Sequence, residues 1–582
     1  MNRVFQANQL GSTSKRNKTM MDVNDFRFYL NKANVKLTPL PTQDKKGIMR
    51  LLFSLFLMTN LTACYQNEAL TKNTLIYCTE GQPTTFNPQI SHDVASLDAT
   101  TQQIFSRLVV FNEASNSFEA DLAESWEQSR DKLRYRFTLR KKVSFHQTDF
   151  FQPTRYLNAD DVLFSFNRMI DKNNPYHTVN NQAKNYFFNH PFTSFLSEIN
   201  KIDQHTVEFV LTKPDVTLLA NLAAHYAVIH SQEYAQQLLQ RGHPENIDFQ
   251  PIGTGPFKYK SFNSKGISRF TKHEDYWQPM TNIEQLIFVK NPSATKRYTK
   301  LLSGECDVIS YPAASQLTVI NRNPDVTLNS QSTDNIALWS FNTEHAPLNQ
   351  ARIRYALSQA IDKKRILEAV YFKSAMQANT LLSQQSWAFN RRYDHDIFNP
   401  QQAKKTLLAE SFDFTQPLTI LLPEDADVFN PNFHKTAELI QGNLARIGVK
   451  SDIIKSSGSA LKARLMTGDY DTYLTGINVH VNDPDSIFRP LLSCQATALN
   501  GNTSRWCSST TQTLLDKSLT EYNINKREQN YHLIQDEIYQ QHPYLPLAHV
   551  LRLDAISKSI KHVHVTPLTG ISFKDAIKQD LN

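Results

Sequence analysis

Apolar residues recur along this 582-residue chain with two spacings, one typical of strands and one typical of helices. Residues 134–140 alternate between polar and apolar side chains, which predicts a half-buried strand. Residues 158–168 begin with Asn158, a suitable helix N-cap, continue with acidic residues in the first turn and then become amphipathic. This second stretch predicts a helix.

A longer helical pattern occupies residues 353–370. Its apolar positions fall along one helical face, at Ile353, Leu357, Ile361 and Ile366. The pattern therefore predicts one continuous helix in this part of the chain.

The alternation of strand and helix patterns along the whole chain favours mixed α/β domains. A chain of this length exceeds what one hydrophobic core supports, so two or three domains are expected. Residues 253–257 (GTGPF) are rich in turn formers and predict a break between two structured regions.

The positive charge of the chain is confined to its first residues. Residues 1–63 contain ten Lys and Arg against three Asp, whereas the rest of the chain has 52 basic and 52 acidic residues. The body is therefore electrically balanced, and we expect no nucleic-acid partner.

Residues 49–63 have the features of an export signal. A short basic start is followed by the apolar run 51–58, which is too short to cross a bilayer as a helix. The residues 61–64 (LTAC) that follow resemble the bacterial lipobox, in which the cysteine is acylated and becomes the mature N-terminus. Cys64 is thus the expected lipidation site. The alternative is a buried N-terminal helix with an incidental cysteine.

This signal predicts an exported bacterial protein, located in the periplasm and held at a membrane by acyl chains on Cys64. Residues 1–48 show neither periodicity nor signal character. We interpret them as a non-native extension that results from a start codon placed too early.

Four further cysteines are present, at Cys78, Cys306, Cys494 and Cys507. An even number of cysteines in an exported protein favours two disulfides, and three pairings are possible. No two of them have the C-x-x-C spacing of a zinc ribbon or a thioredoxin-like site. Four reduced thiols remain the alternative if the export signal is misread.

The sequence contains no common motif for a catalytic nucleophile, a metalloprotease or a nucleotide-binding loop. The spacing of His225 and His230 does not place them on one helical face, and His562 and His564 fit alternation on a strand. We expect a structural role for both pairs. No enzyme activity, metal or cofactor is therefore predicted.

Several stretches resemble the family of extracellular solute-binding proteins that serve oligopeptide, dipeptide and nickel importers. Individually they are moderately specific, but they occur in the family's order and cover nearly everything after Leu75. They are Asn87–Pro88, Leu122–Trp126, Val143–His146, Asn158–Val162, Pro251–Phe257, Asp275–Trp277, Arg354–Asp362 and Asn482–Phe488.

Within this family, other stretches are similar to the Sap-type peptide-transport binding proteins. They are Phe145–Arg155, Ser231–Ala235, Arg489–Cys494 and Trp506–Cys507. The resemblance implies a periplasmic binding protein of an ABC importer, monomeric, with a peptide or peptide-like ligand and with permease subunits in the inner membrane as partners. Sap-type systems suggest cationic or antimicrobial peptides as the ligand.

The resemblance also implies an α/β fold of two lobes with a subdomain inserted into the first lobe, and a ligand held in the interlobe cleft by hinge closure. It implies the pairings Cys78–Cys306 and Cys494–Cys507. The implied regions are lobe I (73–105, 254–332 and 551–582), the inserted subdomain (106–253) and lobe II (333–550).

The ligand pocket departs from the dipeptide-binding relatives, which hold the amino group with an Asp and the carboxylate with an Arg. Counting back from the D-P-D motif, the amine-binding position is His480, and the carboxylate-binding position is Asp427, followed by Phe429 in place of a Tyr. The Trp beneath the ligand corresponds to Ile477, next to Asn478. Neither end-clamp is preserved, so a short zwitterionic peptide is not expected to be gripped by both ends.

These positions admit more than one interpretation. Asp427 could accept a cationic or amide group and His480 could titrate near neutral pH, or both could be hydrated residues at the rim of the cleft. Trp387 and Phe389 could line the cleft or belong to the core.

Two other classes of function stay open on this fold: a binder of haem or of a glutathione-like ligand, and a secreted hydrolase. A binding module that acts without a transporter is a further alternative.

Overall fold

The computed structural model describes residues 73–579, except 92, 180–191, 280–281, 480 and 567. The predicted extension 1–48, the signal 49–63, the lipidation site Cys64 and the predicted ligand-binding His480 lie outside the described residues.

The strands and helices alternate along the chain, as the sequence pattern predicts. The strands are β1 (Thr74–Thr79), β2 (Val109–Asn112), β3 (Ser117–Ala120), β4 (Ala123–Gln128), β5 (Arg134–Leu139), β6 (Leu196–Asp203), β7 (Thr206–Leu211), β8 (Phe257–Phe262), β9 (Ile267–Lys272), β10 (Gln285–Lys290), β11 (Val308–Ser310), β12 (Val326–Phe341), β13 (Ala375–Gln377), β14 (Leu418–Pro423), β15 (Ser451–Ser456), β16 (Thr472–Ile477), β17 (Tyr544–Ser557), β18 (Ile560–Lys561), β19 (His564–Thr566), β20 (Gly570–Ser572) and β21 (Ile577–Lys578). The α-helices are α1 (Val94–Thr100), α2 (Ala159–Ile170), α3 (Phe192–Phe195), α4 (Leu218–Leu222), α5 (Gln232–Gln240), α6 (Ala294–Leu302), α7 (Leu317–Arg322), α8 (Ala351–Gln359), α9 (Lys363–Ile366), α10 (Pro400–Ala409), α11 (Phe433–Arg446), α12 (Gly458–Thr467), α13 (Asp485–Leu492), α14 (Ser509–Thr520) and α15 (Ile524–Gln541).

The largest sheet has the strand order β15-β14-β16-β12-β17-β11-β1-β10-β9-β8, with β13 also paired to β17. Its central strands β12 and β17 have 16 and 14 residues and pair antiparallel. One end of this pair carries the lobe II strands and the other end carries the lobe I strands. The pairing shifts register between Ser332 and Ile336, close to the predicted boundary between the lobes.

Each region has its own hydrophobic core. The inserted subdomain packs around the sheet β4-β5-β7-β6 and includes Phe137 and Phe209. The lobe I core includes Phe270 and Phe288, and the main lobe II core includes Trp339. Separate cores are what two lobes and an inserted subdomain require, although the residue boundaries between them stay predictions.

Two local predictions are confirmed. The apolar side chains of β5 are buried on one face while its polar side chains alternate with them. Helix α2 begins with a capping box, in which Asn158 accepts from the backbone of the first turn and the Asp161 carboxylate accepts from the Asn158 N–H at 2.9 Å.

The prediction of one helix over residues 353–370 is wrong. Helix α8 ends at Gln359. The Asp362 side chain then accepts a hydrogen bond from the Arg365 N–H at 3.1 Å and caps the start of the separate helix α9. The apolar positions are all buried, but the five-residue step from Ile361 to Ile366 does not fit a period of 3.6. That step marks the break.

Both predicted disulfides are confirmed, Cys78 with Cys306 and Cys494 with Cys507. The first disulfide ties β1 to the segment that leads into β11. Strands β1 and β11 also pair with each other in the sheet. Lys578, near the other end of the described chain, donates to the Thr74 carbonyl at 2.9 Å, so both ends belong to lobe I.

The short disulfide offers a test of lobe II stability. Cys494 and Cys507 are 13 positions apart in the sequence, and closing a loop of this length is worth roughly 3 kcal/mol in the chain-entropy model. We expect the Cys494→Ser, Cys507→Ser double variant to lower the unfolding free energy of lobe II by about that amount in urea titrations. The matched control adds a reductant to both proteins, which should remove most of the difference. Equal transitions without reductant would contradict the expectation.

Candidate functional site

A small cavity of about 40 Å³ lies where lobe I meets lobe II, beside the central strand pair. Asp98, Tyr311 and Arg552 contribute its lobe I side, and Asn335 and Asn478 contribute its lobe II side. Sites for small ligands usually enclose 300–1,000 Å³. A ligand that entered this position would therefore need the two lobes to move apart.

The lobe I wall is a buried charge network centred on Arg552. Its guanidinium donates to both carboxylate oxygens of Asp98, at 3.1 and 2.8 Å, and to Asp554 at 3.0 Å. The Tyr77 hydroxyl donates to Asp98 at 2.8 Å. Burial and the two carboxylates raise the pKa of Tyr77 well above its ordinary value, so the phenol stays a donor. The network joins two acidic side chains to one base, and burial raises the pKa of the Asp554 carboxyl.

The lobe II wall contains a tight turn at the predicted Asp427. The Asp427 and Asn430 backbones exchange hydrogen bonds of 3.0 Å, and the Asp427 carboxylate accepts from the Val428 N–H at 2.6 Å. The Asn478 amide lies 3.5 Å from the same carboxylate oxygen. Asp427 is exposed, yet the surrounding protein excludes enough water to raise the pKa of its carboxyl, against the opposing effect of these hydrogen bonds.

Phe429 and Ile477 lie deeper in lobe II. Phe429 is buried in the main lobe II core, and its carbonyl accepts from the Tyr371 hydroxyl at 2.9 Å. A Cβ atom at Gly476 would lie 2.3 Å from the Phe429 ring, so only glycine fits there. Ile477 ends β16 opposite Ile336 and is partly buried. Whether either side chain contacts a ligand stays a prediction.

Trp387 and Phe389 each pack against a second lobe II core. The Trp387 ring meets the Tyr531 ring edge-on at 5.7 Å, and the Arg527 guanidinium lies 5.3 Å from its centre. Both aromatic side chains are partly buried, and their role in lining the cleft stays a prediction.

Sequence reasoning missed the role of the D-P-D motif. Arg527 holds the Asp483 carboxylate with two hydrogen bonds of 2.6 and 2.7 Å, and Arg489 holds Asp485 with bonds of 2.8 and 3.0 Å. The second pair has the i,i+4 spacing of a helical ion pair and could have been found. The first joins residues 44 positions apart, for which the sequence pattern holds no signal.

The inserted subdomain also contacts lobe II directly. The Val216 N–H donates to the Leu519 carbonyl at 2.9 Å, and the hydroxyls of Tyr135 and Tyr522 are 3.2 Å apart. The Lys132 ammonium lies 4.9 Å from the centre of the Tyr522 ring. These contacts hold the subdomain and lobe II together in this conformation.

Asp215 lies within this contact and has an unusual carboxyl. Burial raises the pKa of Asp215 to about 6, against hydrogen bonds from the Thr217 hydroxyl and N–H, and the charges of Asp485 and Asp483 add to the rise. Both of those carboxylates are paired with arginines, and the phenols of Tyr522 and Tyr135 also interact with the Asp215 charge. The charged form of Asp215 is therefore disfavoured in this contact.

Comparison with known proteins identifies the family. The model of the bacterial extracellular solute-binding proteins, family 5, matches residues 117–498. A relative from Salmonella typhimurium, the peptide transport periplasmic protein SapA, is 38% identical over 86% of this chain and 90% of its own length. The heme-binding protein A of Haemophilus influenzae is 35% identical over 86% of this chain and 91% of its own length.

Among solved structures, the dipeptide-binding protein of Pseudoalteromonas sp. SM9913 in complex with Met-Leu matches with a TM-score of 0.77 at 36% identity. The match covers 87% of this chain and all of that protein. The predicted two-lobe periplasmic-binding fold is thereby confirmed. This chain belongs to family 5 of the bacterial extracellular solute-binding proteins.

Within the described part of the chain, no group of three or more His, Cys, Asp or Glu side chains could hold a metal ion. None of the described helices has both the length and the apolar character needed to cross a membrane.

The raised pKa of Asp215 predicts a pH-dependent stability. Because its pKa is raised in the folded state, the folded protein binds the extra proton between about pH 4 and pH 6, and Asp215 lowers stability as the pH rises through this window. Replacing Asp215 with Asn should remove a penalty of roughly 3 kcal/mol at pH 7.5 and change little at pH 4. Urea unfolding of both proteins at each pH measures the difference.

The matched control is Asp325→Asn, which changes an exposed aspartate of lobe I by the same charge. Its stability should follow the wild type at both pH values. An Asp215→Asn variant that is less stable than the wild type at pH 7.5 would show that the ionised carboxylate stabilises the folded protein at that pH.

Proposed function

We propose that this protein is the peptide-binding component of an ABC importer in the periplasm, and that it holds its ligand in the cleft between lobe I and lobe II. The relatives from Salmonella and Pseudoalteromonas are named for peptide transport and dipeptide binding. Permease subunits of the importer are the proposed partners.

The observation that carries this proposal is the position of the small cavity. Its walls come from both lobes, and it lies beside the two strands that run between them. A ligand in this position would contact both lobes and would favour the closed arrangement over the open one. The proposed hinge lies at residues 332–333 and 550–551, where the predicted lobe boundaries cross the long strands.

A second candidate is a haem ligand, because the Haemophilus relative is named as a heme-binding protein. Haem and peptides differ in light absorption and in mass. Mass spectrometry of what co-purifies from a gently denatured preparation, together with a haem titration followed by absorbance, distinguishes the two. Recovery of peptides without haem supports the proposal, and stoichiometric haem binding without peptides overturns it.

Catalysis forms no part of the proposal. Incubation of the purified protein with the recovered peptides, followed by mass spectrometry, tests the hydrolase alternative. Intact peptides after prolonged incubation agree with a binding protein, and fragments would reinstate the hydrolase.

Membrane anchoring through Cys64 is a further part of the proposal, based on the lipobox-like residues 61–64. We expect Cys64→Ala to move the protein from the membrane fraction to the soluble fraction or to stall its processing, because acyl chains could no longer be attached. Fractionation with detection by mass of the mature N-terminus measures both effects. Thr59→Ala is a control that changes a residue of the signal outside residues 61–64. A soluble wild type that retains residues 49–63 would contradict this expectation.

The altered end-clamp positions predict weak binding of ordinary dipeptides. Two charge-assisted contacts, each worth about 1.5–3 kcal/mol, are missing at Asp427 and His480, which corresponds to roughly two to four powers of ten in affinity. Asp427 also places a negative charge where a carboxylate would lie. Calorimetry of the ligand-stripped protein should therefore find tighter binding for a longer or cationic peptide than for a neutral dipeptide.

The variant Asp427→Arg with His480→Asp serves as the matched test, because it reinstates both charges of the dipeptide-binding relatives. It should regain part of the dipeptide affinity. Micromolar binding of a neutral dipeptide to the wild type would mean that other residues supply the clamps.

A further inference from the structure

A groove of about 960 Å³ runs beside the small interlobe cavity and shares Leu568 with it. All three regions of the chain contribute to its walls, including Asn329 of lobe I, Ala224 of the inserted subdomain and Asn482 of lobe II. The groove has the volume of a ligand site, which the cavity lacks. A ligand that enters the cavity when the lobes move apart could extend past Leu568 into this groove.

The groove offers both apolar and charged surface. The rings of Phe111 and Phe118 pack edge-on at 5.3 Å along one wall and are partly buried. Lys561 also lines the groove and is exposed. This combination suits a peptide, whose side chains and ends differ in polarity.

Arg107 is the unusual residue of the groove wall. It is 4% exposed, and its Nε and Nη1 atoms have no hydrogen-bond partner among the described residues. Asp121 is close by, but its carboxylate accepts from the Arg107 backbone N–H at 2.8 Å. Buried guanidinium donors that lack hydrogen-bond partners are costly, and an arginine cannot escape the cost by losing its proton. An anionic group would complete this site.

Charges of both signs line the groove around Arg107. The Asp121 carboxylate interacts with three cations, Arg107, Lys574 and Arg140, and Glu113, Glu119 and Asp575 also line the groove. Lys574 is also 3.8 Å from Asp575, which leaves Arg107 as the buried base with unused donors.

We propose that a peptide ligand extends from the interlobe cavity into this groove and that Arg107 binds its terminal carboxylate. Arg107 would then take the role for which the dipeptide-binding relatives use an arginine at the position of Asp427. The amino end would lie on the side of the cavity wall that Asp98 and Arg552 form. This inference rests on the proposed peptide-binding function, and it adds the group that recognises the carboxyl end of the ligand.

The test uses two synthetic peptides of one sequence, a lysine followed by five alanines, which end in a free carboxylate or in an amide. Calorimetry with the ligand-stripped wild type should find the free acid roughly 10- to 100-fold tighter than the amide, as expected for one charge-assisted contact. Arg107→Gln should weaken the free acid by the same factor and leave the amide unchanged. Lys561→Gln, which removes the same charge from the exposed rim, should keep the preference for the free acid.

Arg107→Lys is the second variant, because it keeps the buried charge if the glutamine does not fold, as judged by circular dichroism. It should retain part of the preference. Equal binding of acid and amide to the wild type overturns the inference and leaves the proposed function intact. A preference that persists in Arg107→Gln also overturns it, since another cation would then hold the carboxylate. Failure of both peptides to bind overturns the proposed function and the inference together.

Discussion

The pairing of β12 with β17 is the constraint on which the rest of the structure depends. The two strands come from residues more than 200 positions apart, and each runs through the junction of the lobes. Strands of lobe II add to one end of the pair and strands of lobe I to the other. The cavity lies beside the break in this pairing between Ser332 and Ile336. Asn335 of β12, which falls within the break, and Arg552 of β17 both line it.

Charged groups at the junction are mostly held by other charged groups of the protein. Asp98 and Asp554 share Arg552, and Asp483 is held by Arg527. Such pairs add little net stability when buried, because desolvation offsets most of the attraction. Their effect is to fix the shape and sign of the walls before a ligand arrives. Against this background Arg107 stands out, since two of its guanidinium nitrogens, Nε and Nη1, lack hydrogen-bond partners.

Local elements could be predicted from sequence because their cause is local. Asn158 and Asp161 are three positions apart and form the cap that their spacing predicts. The break before α9 was missed because Ile361 and Ile366 are both apolar and buried, although their spacing does not fit one helix. The disulfide pairs and the two-lobe fold followed from the family resemblance, and no pattern in the residues would have chosen the pairing.

Part of the candidate site could be predicted from the sequence. The positions of Asp427 and Asn478 were found by counting from motifs, and both lie at the lobe junction with their side chains 3.5 Å apart. The rest of the site could not be predicted, for a physical reason. The pairing of Asp483 with Arg527 and the unpaired Nε and Nη1 donors of Arg107 depend on how distant segments meet in three dimensions. Neither has a period, a spacing or a composition that a single sequence records.

The hydrogen bond from Lys578 to Thr74 has a mechanical consequence. Because both ends of the described chain are fastened to lobe I, where Cys78 is further tied to Cys306, a pull through either end loads lobe I alone. The strands that link the lobes carry none of that force. Once the contacts with the inserted subdomain open, lobe II can move whether or not lobe I is tethered, and tension on a tether leaves the energy of closing unchanged.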